Sequence, residues 1–118
     1  MPGLYLHIPF CKQACTYCDF HFSTNAQGQA RVLKAMRTEL SARQEEVGDA
    51  DVGSIYFGGD KPSHVDPLEI ERFMQLIRGR FTIEPGAEVT LEANPDDITE
   101  ERLAAWLAMG INRVSLGI

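Results

Sequence analysis

Short apolar runs alternate with amphipathic stretches along the whole chain. Four runs are typical of strands, namely Leu4–Ile8, Ser54–Phe57, Glu88–Ala93 and Asn112–Ile118. Three intervening stretches repeat apolar residues at helical spacing, from about Gln29 to Glu46, from Pro67 to about Gly79, and from near Thr99 to Gly110. This βαβαβαβ order predicts an α/β fold of repeated βα units with a parallel sheet.

The helix boundaries and inward faces follow from local signals. Asp66 precedes Pro67 and stands three positions before Glu69, which is an N-terminal capping pattern. Helical periodicity predicts buried positions on the last two helices, namely Leu68, Ile70, Phe73, Leu76 and Ile77, then Leu103, Trp106 and Leu107.

The final predicted strand has no helix after it to cover its apolar residues. Three and a half βα units are also too few to close an eight-stranded barrel. We therefore expect residues 1–118 to be the N-terminal portion of a larger, partial (βα) barrel. A small open α/β domain is the alternative.

Composition excludes some function classes. The chain has 118 residues, 17 acidic against 11 basic, and a net charge of −6. Without a Lys/Arg-rich run, we expect no nucleic-acid partner. Neither a signal peptide nor an apolar run near the ~20 residues of a membrane helix is visible. An odd number of cysteines, three, favours reduced thiols and a cytoplasmic protein.

The three cysteines form one motif. Cys11, Cys15 and Cys18 are spaced C-x₃-C-x₂-C directly after the first predicted strand. Three clustered thiolates can hold three corners of an iron–sulfur cluster, which four cysteines normally hold, and leave one iron open. The alternatives are zinc with His7 or His21 as fourth ligand, inert buried thiols, or a redox-sensing trio.

The flanks of this motif resemble a known family. Leu4–Cys11 and Tyr17–Phe20 are similar to the opening of the radical SAM core in the oxygen-independent coproporphyrinogen III oxidase and haem chaperone family. The resemblance continues through three further segments, Ile55–Gly59, Leu91–Pro95 and Arg113–Ile118.

The resemblance implies cofactors and the residues that bind them. Cys11, Cys15 and Cys18 would hold a [4Fe–4S] cluster, and the amino and carboxylate groups of S-adenosylmethionine would chelate its open iron. The positions that would contact S-adenosylmethionine are Tyr5, Gly58, Gly59 and Glu92. From the residues alone, each position also has a plain structural interpretation. These are a half-buried strand tyrosine for Tyr5, a plain turn for Gly58-Gly59, and a solvated or helix-capping acid for Glu92. His7 is interpreted as a scaffold histidine.

The glycine motif departs from the family pattern Gly-Gly-Gly-Thr-Pro. This chain has Asp60 and Lys61 between Gly59 and Pro62. Asp60 adds a Cβ and a charge where close backbone approach is expected, and Lys61 replaces a short hydroxyl with a long cation.

Three functions follow as hypotheses. Asp19-Phe20 after the third cysteine, without a further cysteine nearby, resembles the haem chaperone branch, in which the cluster and S-adenosylmethionine support haem delivery to other proteins. The alternatives are an oxidase that decarboxylates porphyrinogen propionates and a non-catalytic metal-binding module. We expect the chain alone to be inactive.

Overall fold

A computed structural model describes residues 3–8, 26–48, 50–59 and 62–116. Four strands are present in these ranges, β1 (Gly3–Ile8), β2 (Val52–Gly59), β3 (Ile83–Ala93) and β4 (Arg113–Leu116). The helices are α1 (Ala26–Ala42), α2 (Gln44–Val47), α3 (Pro67–Arg80) and α4 (Glu100–Ala108). Two short 3₁₀ turns, Pro62–His64 and Pro95–Asp97, follow β2 and β3.

The strands form one four-stranded sheet in the order β1-β2-β3-β4. All three pairings are parallel, and Tyr5, Tyr56, Thr90 and Arg113 occupy one rung across the sheet. The predicted α/β fold with a parallel sheet is therefore confirmed. Since the strands are parallel, their carboxyl ends meet at the same edge, which is where ligands bind in such sheets.

The core lies between one face of the sheet and the helices. Phe57 of β2 and Phe73 of α3 meet edge to face, with ring centroids 6.2 Å apart. Arg37 of α1 reaches Glu69 of α3 at 3.0 Å and links the two helices above this core. The largest fully buried side chains on the strands and helices are Ile8, Leu33, Ile55, Phe57, Ile70, Phe73, Met74, Ile77, Leu91 and Trp106.

Local capping fixes the helix ends. The Asp66 carboxylate accepts a hydrogen bond from the Leu68 amide at 3.0 Å, with Pro67 at the first helical position. The Thr99 hydroxyl likewise accepts from the Arg102 amide at 3.1 Å at the start of α4. Gly48, with φ 65°, ends α2.

Three details of the prediction were wrong. The first helix is interrupted at Arg43, so that α1 and α2 replace one continuous helix. Leu68 is 52% exposed, and Leu103 and Leu107 of α4 are 43% and 73% exposed. Of the residues predicted inward on α4, only Trp106 is buried, and α4 packs against α3.

The contrast between Phe73 and Leu107 gives a stability test. Phe73→Ala empties a fully buried site and should lower the free energy of unfolding by about 3–5 kcal/mol. Leu107→Ala trims an exposed side chain and should change it by no more than about 0.5 kcal/mol. Urea denaturation followed by circular dichroism measures both. A comparable loss in Leu107→Ala would mean that this flank of α4 is covered in solution.

Candidate functional site

The sheet face turned away from the helices is polar toward its carboxyl edge. Side chains alternate between the two faces of a strand, so residues beside the buried Leu6, Phe57 and Leu91 point away from the core. The residues on this polar face near the edge are Tyr5, His7, Tyr56, Gly58, Glu92 and Ser115. Parallel sheets are ordinarily covered on both faces, so a polar face calls for a chemical explanation.

Glu92 of β3 is the centre of this polar group. Its Oε2 accepts a hydrogen bond from the Tyr56 hydroxyl at 2.7 Å, and its Oε1 accepts from the Gly59 amide at 3.1 Å. One bond from β2 therefore reaches each carboxylate oxygen. A carboxylate can accept about four hydrogen bonds, so both oxygens keep acceptor capacity for a ligand.

Gly58 and Gly59 are glycines for different reasons. A Cβ on Gly58 would lie 2.7 Å from the Tyr5 hydroxyl, 2.9 Å from Tyr56 Cε1 and 3.0 Å from Glu92 Oε1. Gly59 has φ +101°, and a Cβ there would lie 2.8 Å from the backbone of Ile8. The missing side chain of Gly58 lets Glu92 approach the end of β2, whereas that of Gly59 lets β2 lie close to β1.

The aromatic residues on this face lie side by side. The Tyr5 and Tyr56 rings stack with centroids 5.6 Å apart and planes 21° apart. The Tyr5 hydroxyl is 3.4 Å from His7 Nδ1. Both Tyr5 and His7 are exposed, so His7 is a surface residue beside the candidate site rather than a core histidine.

The Tyr56 phenol has an altered acidity. Its hydrogen bond to the Glu92 carboxylate raises the pKa of Tyr56, and partial burial raises it further. A hydrogen bond from the Ser115 hydroxyl on β4 opposes this rise. The phenol therefore stays protonated, and remains a donor to Glu92, beyond the usual tyrosine range.

Ser63 ties together the turns that follow β2 and β3. Its buried hydroxyl donates to the Asp97 carboxylate and accepts from the Asn94 amide, both at 2.9 Å. These bonds fix the two turns beside Gly59 and Glu92. No local pattern predicts a role for Ser63, because its partners lie more than thirty positions away.

A groove of about 440 Å³ runs along β1 beside α1 and α2, and its lining includes Tyr5 and His7. Apolar side chains line it, including Leu4, Met36 and Leu40, together with Arg43 and its acidic partners. Arg43 pairs with Glu39 at 3.3 Å and with Glu46 at 2.6 Å. The charge of Arg43 is thus balanced within the groove, which favours the carboxyl edge as the ligand site.

Comparison with known proteins shows the family to which the chain belongs. The sequence profile of the radical SAM superfamily matches residues 5–118. The chain belongs to the radical SAM superfamily. The match covers β1 from Tyr5 onward, the whole of β2, β3 and β4, and the three cysteines.

Individual relatives refine the comparison. The chain is 38% identical over 98% of its length to the heme chaperone HemW of Mycobacterium tuberculosis, and 31% identical over 100% to that of Bacillus subtilis. It is 33% identical to the oxygen-independent coproporphyrinogen III oxidase of Bradyrhizobium diazoefficiens. The solved coproporphyrinogen III oxidase HemN of Escherichia coli, a radical SAM enzyme, matches 99% of this chain with a TM-score of 0.81 at 32% identity.

These matches extend over only part of each relative. The chain spans 31% of the Mycobacterium tuberculosis chaperone and 28% of the Escherichia coli oxidase chain. Within the described ranges, no helix is both long and apolar enough to cross a membrane.

The described part of the site fits S-adenosylmethionine, a cofactor that the superfamily name implies. Because Gly58 has no Cβ, the side chains of Tyr5 and Glu92 come together at the end of β2. Beside it, Glu92 offers an acceptor and a negative charge to a ligand that carries a sulfonium, an ammonium and hydroxyl groups. The four positions predicted to contact this cofactor, Tyr5, Gly58, Gly59 and Glu92, therefore lie together at one edge.

The predicted metal ligands Cys11, Cys15 and Cys18 lie outside the described residues, as do Asp60 and Lys61. Among the residues that the structure does describe, no three His, Cys, Asp or Glu side chains converge on a metal site. The cluster assignment thus rests on the sequence motif and on the superfamily.

Sequence reasoning missed one member of the site, Tyr56. It lies between the buried Ile55 and Phe57 and resembles a core aromatic residue in an apolar strand. The signal was its parity, since Tyr56 stands two residues before Gly58 and so faces the same side of the sheet.

Gly58→Ala tests the crowding at the strand end. The new Cβ would force Tyr5, Tyr56 and Glu92 apart, and we expect a loss of about 1–3 kcal/mol in the free energy of unfolding. Gly79→Ala is the control, because nothing lies within 4 Å of its Cβ on α3. It should be stabilising by up to about 1 kcal/mol. Urea denaturation decides, and equal stabilities for the two variants would contradict the described packing.

The Tyr56–Glu92 hydrogen bond predicts a pH dependence. The folded pKa of Tyr56 lies above its unfolded value of about 10, so the bond stabilises the fold fully below that pH. That contribution is lost as the pH rises through the folded pKa. The wild type should therefore lose stability more steeply above about pH 10 than Tyr56→Phe. Urea denaturation at a series of pH values measures the stability of both proteins, and near-ultraviolet tyrosinate absorption follows the ionisation of tyrosine. Parallel plots of stability against pH for the two proteins would contradict the hydrogen bond.

Proposed function

We propose that this chain forms the cofactor-binding part of a haem chaperone of the radical SAM type, with a [4Fe–4S] cluster and S-adenosylmethionine. The observation that carries the proposal is the Glu92 carboxylate held against the glycine end of β2 at the carboxyl edge. Its support is the superfamily match and the curated relatives named heme chaperone. The reduced cysteines required for a cluster favour a cytoplasmic setting.

In this proposal Cys11, Cys15 and Cys18 hold three irons of the cluster. Cys11 is three positions after Ile8, the last residue of β1. Three residues of extended chain reach at most about 11 Å. The cysteine motif therefore begins within reach of the edge that carries Glu92. When bound, the cluster supplies the electron that cleaves the sulfonium of S-adenosylmethionine.

The residues of the chain bind and orient the cofactor. Glu92 accepts hydrogen bonds from its ammonium or hydroxyl groups, and Gly58 leaves the room in which Glu92 and Tyr5 come together beside the cofactor. The ring of Tyr5, exposed beside Gly58, contributes a contact surface. These roles are assigned as proposals for all four residues.

A second candidate function is oxygen-independent coproporphyrinogen III oxidation. It is favoured by the similarity to the Escherichia coli oxidase, at a TM-score of 0.81. The two candidates share the cofactor site and differ in the molecule that the whole protein handles. A chaperone delivers haem intact to an accepting protein, whereas the oxidase removes carboxyl groups from the propionates of a porphyrinogen.

A third candidate, a metal-binding module without catalysis, is favoured by Asp60 and Lys61 in place of the family Gly-Thr. It keeps the cluster and loses the response to S-adenosylmethionine. One experiment on the chain separates it from the first two.

Anaerobic reconstitution with iron and sulfide, followed by absorption and EPR spectroscopy, tests the proposal. The wild type should develop a broad band near ~400 nm, and Cys15→Ala should lose it. S-adenosylmethionine should change the EPR signal of the reduced cluster. Glu92→Gln is the matched control, since it leaves the thiolates in place and should keep the cluster while weakening the response.

The alternative outcomes are distinct. A cluster whose EPR signal does not change when S-adenosylmethionine is added would support the non-catalytic module. Zinc bound in place of a cluster, with no visible band, would overturn the radical SAM proposal for this chain.

A further inference from the structure

Tyr56 is the described residue that contacts Glu92 without lying at the carboxyl edge itself. It precedes Gly58 by two positions, and two strand residues span about 6.6 Å along the strand. Its hydroxyl donates to Glu92 Oε2 at 2.7 Å, while the Gly59 amide donates to Oε1 at 3.1 Å. The carboxylate is thus held at both oxygens, from below by a phenol and at the edge by an amide.

The ring and the hydroxyl of Tyr56 have separable contacts. The ring stacks on Tyr5 at 5.6 Å, and this contact needs no hydroxyl. The hydroxyl hydrogen-bonds Glu92, so it links the side chains of β2 and β3. Replacement by phenylalanine would keep the stack and remove one of the two donors that orient Glu92.

We propose that Tyr56 is a positioning residue that fixes the Glu92 carboxylate so that its remaining lone pairs face the donors of S-adenosylmethionine. The affinity for this cofactor then depends on the Tyr56 hydroxyl, and only through Glu92. This inference rests on the proposed function. A freely rotating carboxylate would have to be ordered when the ligand binds, which costs affinity.

A double-mutant cycle tests the dependence in the reconstituted chain. Tyr56→Phe should weaken S-adenosylmethionine binding, measured by anaerobic calorimetry, by about five- to tenfold. In the Glu92→Gln background the same change should have no further effect beyond about twofold. Thr90→Val, which removes a buried hydroxyl from the same rung as Tyr56, is the control and should bind within about twofold of the wild type.

A second measurement needs no ligand. In Tyr56→Phe, the Gly59 amide proton should shift in the NMR spectrum and exchange with solvent several-fold faster, as it should in Glu92→Gln. Thr90→Val should leave the Gly59 amide unchanged. This readout follows the bond that Gly59 donates to Glu92, and a general loss of packing would move amides throughout β2 instead.

The outcomes separate the two proposals. A wild type that does not bind S-adenosylmethionine removes the proposed function, and the Gly59 amide then decides whether Tyr56 positions Glu92. Normal binding by Tyr56→Phe, or an equal loss in the Glu92→Gln background, overturns the positioning role while the proposed function stands. An unchanged Gly59 amide in Tyr56→Phe overturns it as well.

Discussion

Parallel strand pairing is the constraint on which the candidate site depends. The pairing of β1 with β2 and of β2 with β3 brings residues that are far apart in sequence to one edge. Tyr5, Gly58 and Glu92 come from three successive strands, each near its carboxyl end. A shift of one residue in any pairing would turn one of these side chains toward the helices and break the group apart. The apolar face of the sheet therefore fixes the polar face, since the burial of Ile55, Phe57 and Leu91 sets the register.

The polar face is organised around one carboxylate. Glu92 would be costly on a sheet face without donors, and Tyr56 and Gly59 supply them. The same contacts explain why Gly58 has no side chain, since any Cβ there would displace the groups that surround Glu92. Ser63 extends the arrangement by joining the turns beyond β2 and β3. These contacts within the chain hold the edge in place, which reduces the ordering that binding requires.

Local signals in the sequence predicted the elements well and their packing less well. Asp66, Pro67 and Thr99 mark helix starts because caps act within one turn of backbone. Leu103 and Leu107 were wrongly predicted as buried. Helical periodicity identifies an apolar stripe on α4 but does not show which side of the helix packs against the rest of the protein.

The site was only partly predictable for a similar reason. Glu92 and the glycine pair came from a family resemblance, whereas the bond from Tyr56 to Glu92 joins residues 36 positions apart and follows from the strand register. Ser63 likewise contacts Asp97 and Asn94 only because the fold brings them together.

We propose the carboxyl edge beside Glu92 as the cofactor site. The most direct measurement is a crystal structure of the anaerobically reconstituted chain with S-adenosylmethionine, with data collected at the iron absorption edge. We expect iron at the carboxyl edge of the sheet and cofactor density within hydrogen-bonding distance of the Glu92 carboxylate. Iron or cofactor density in the groove between β1 and α1, with Glu92 left free, would contradict it.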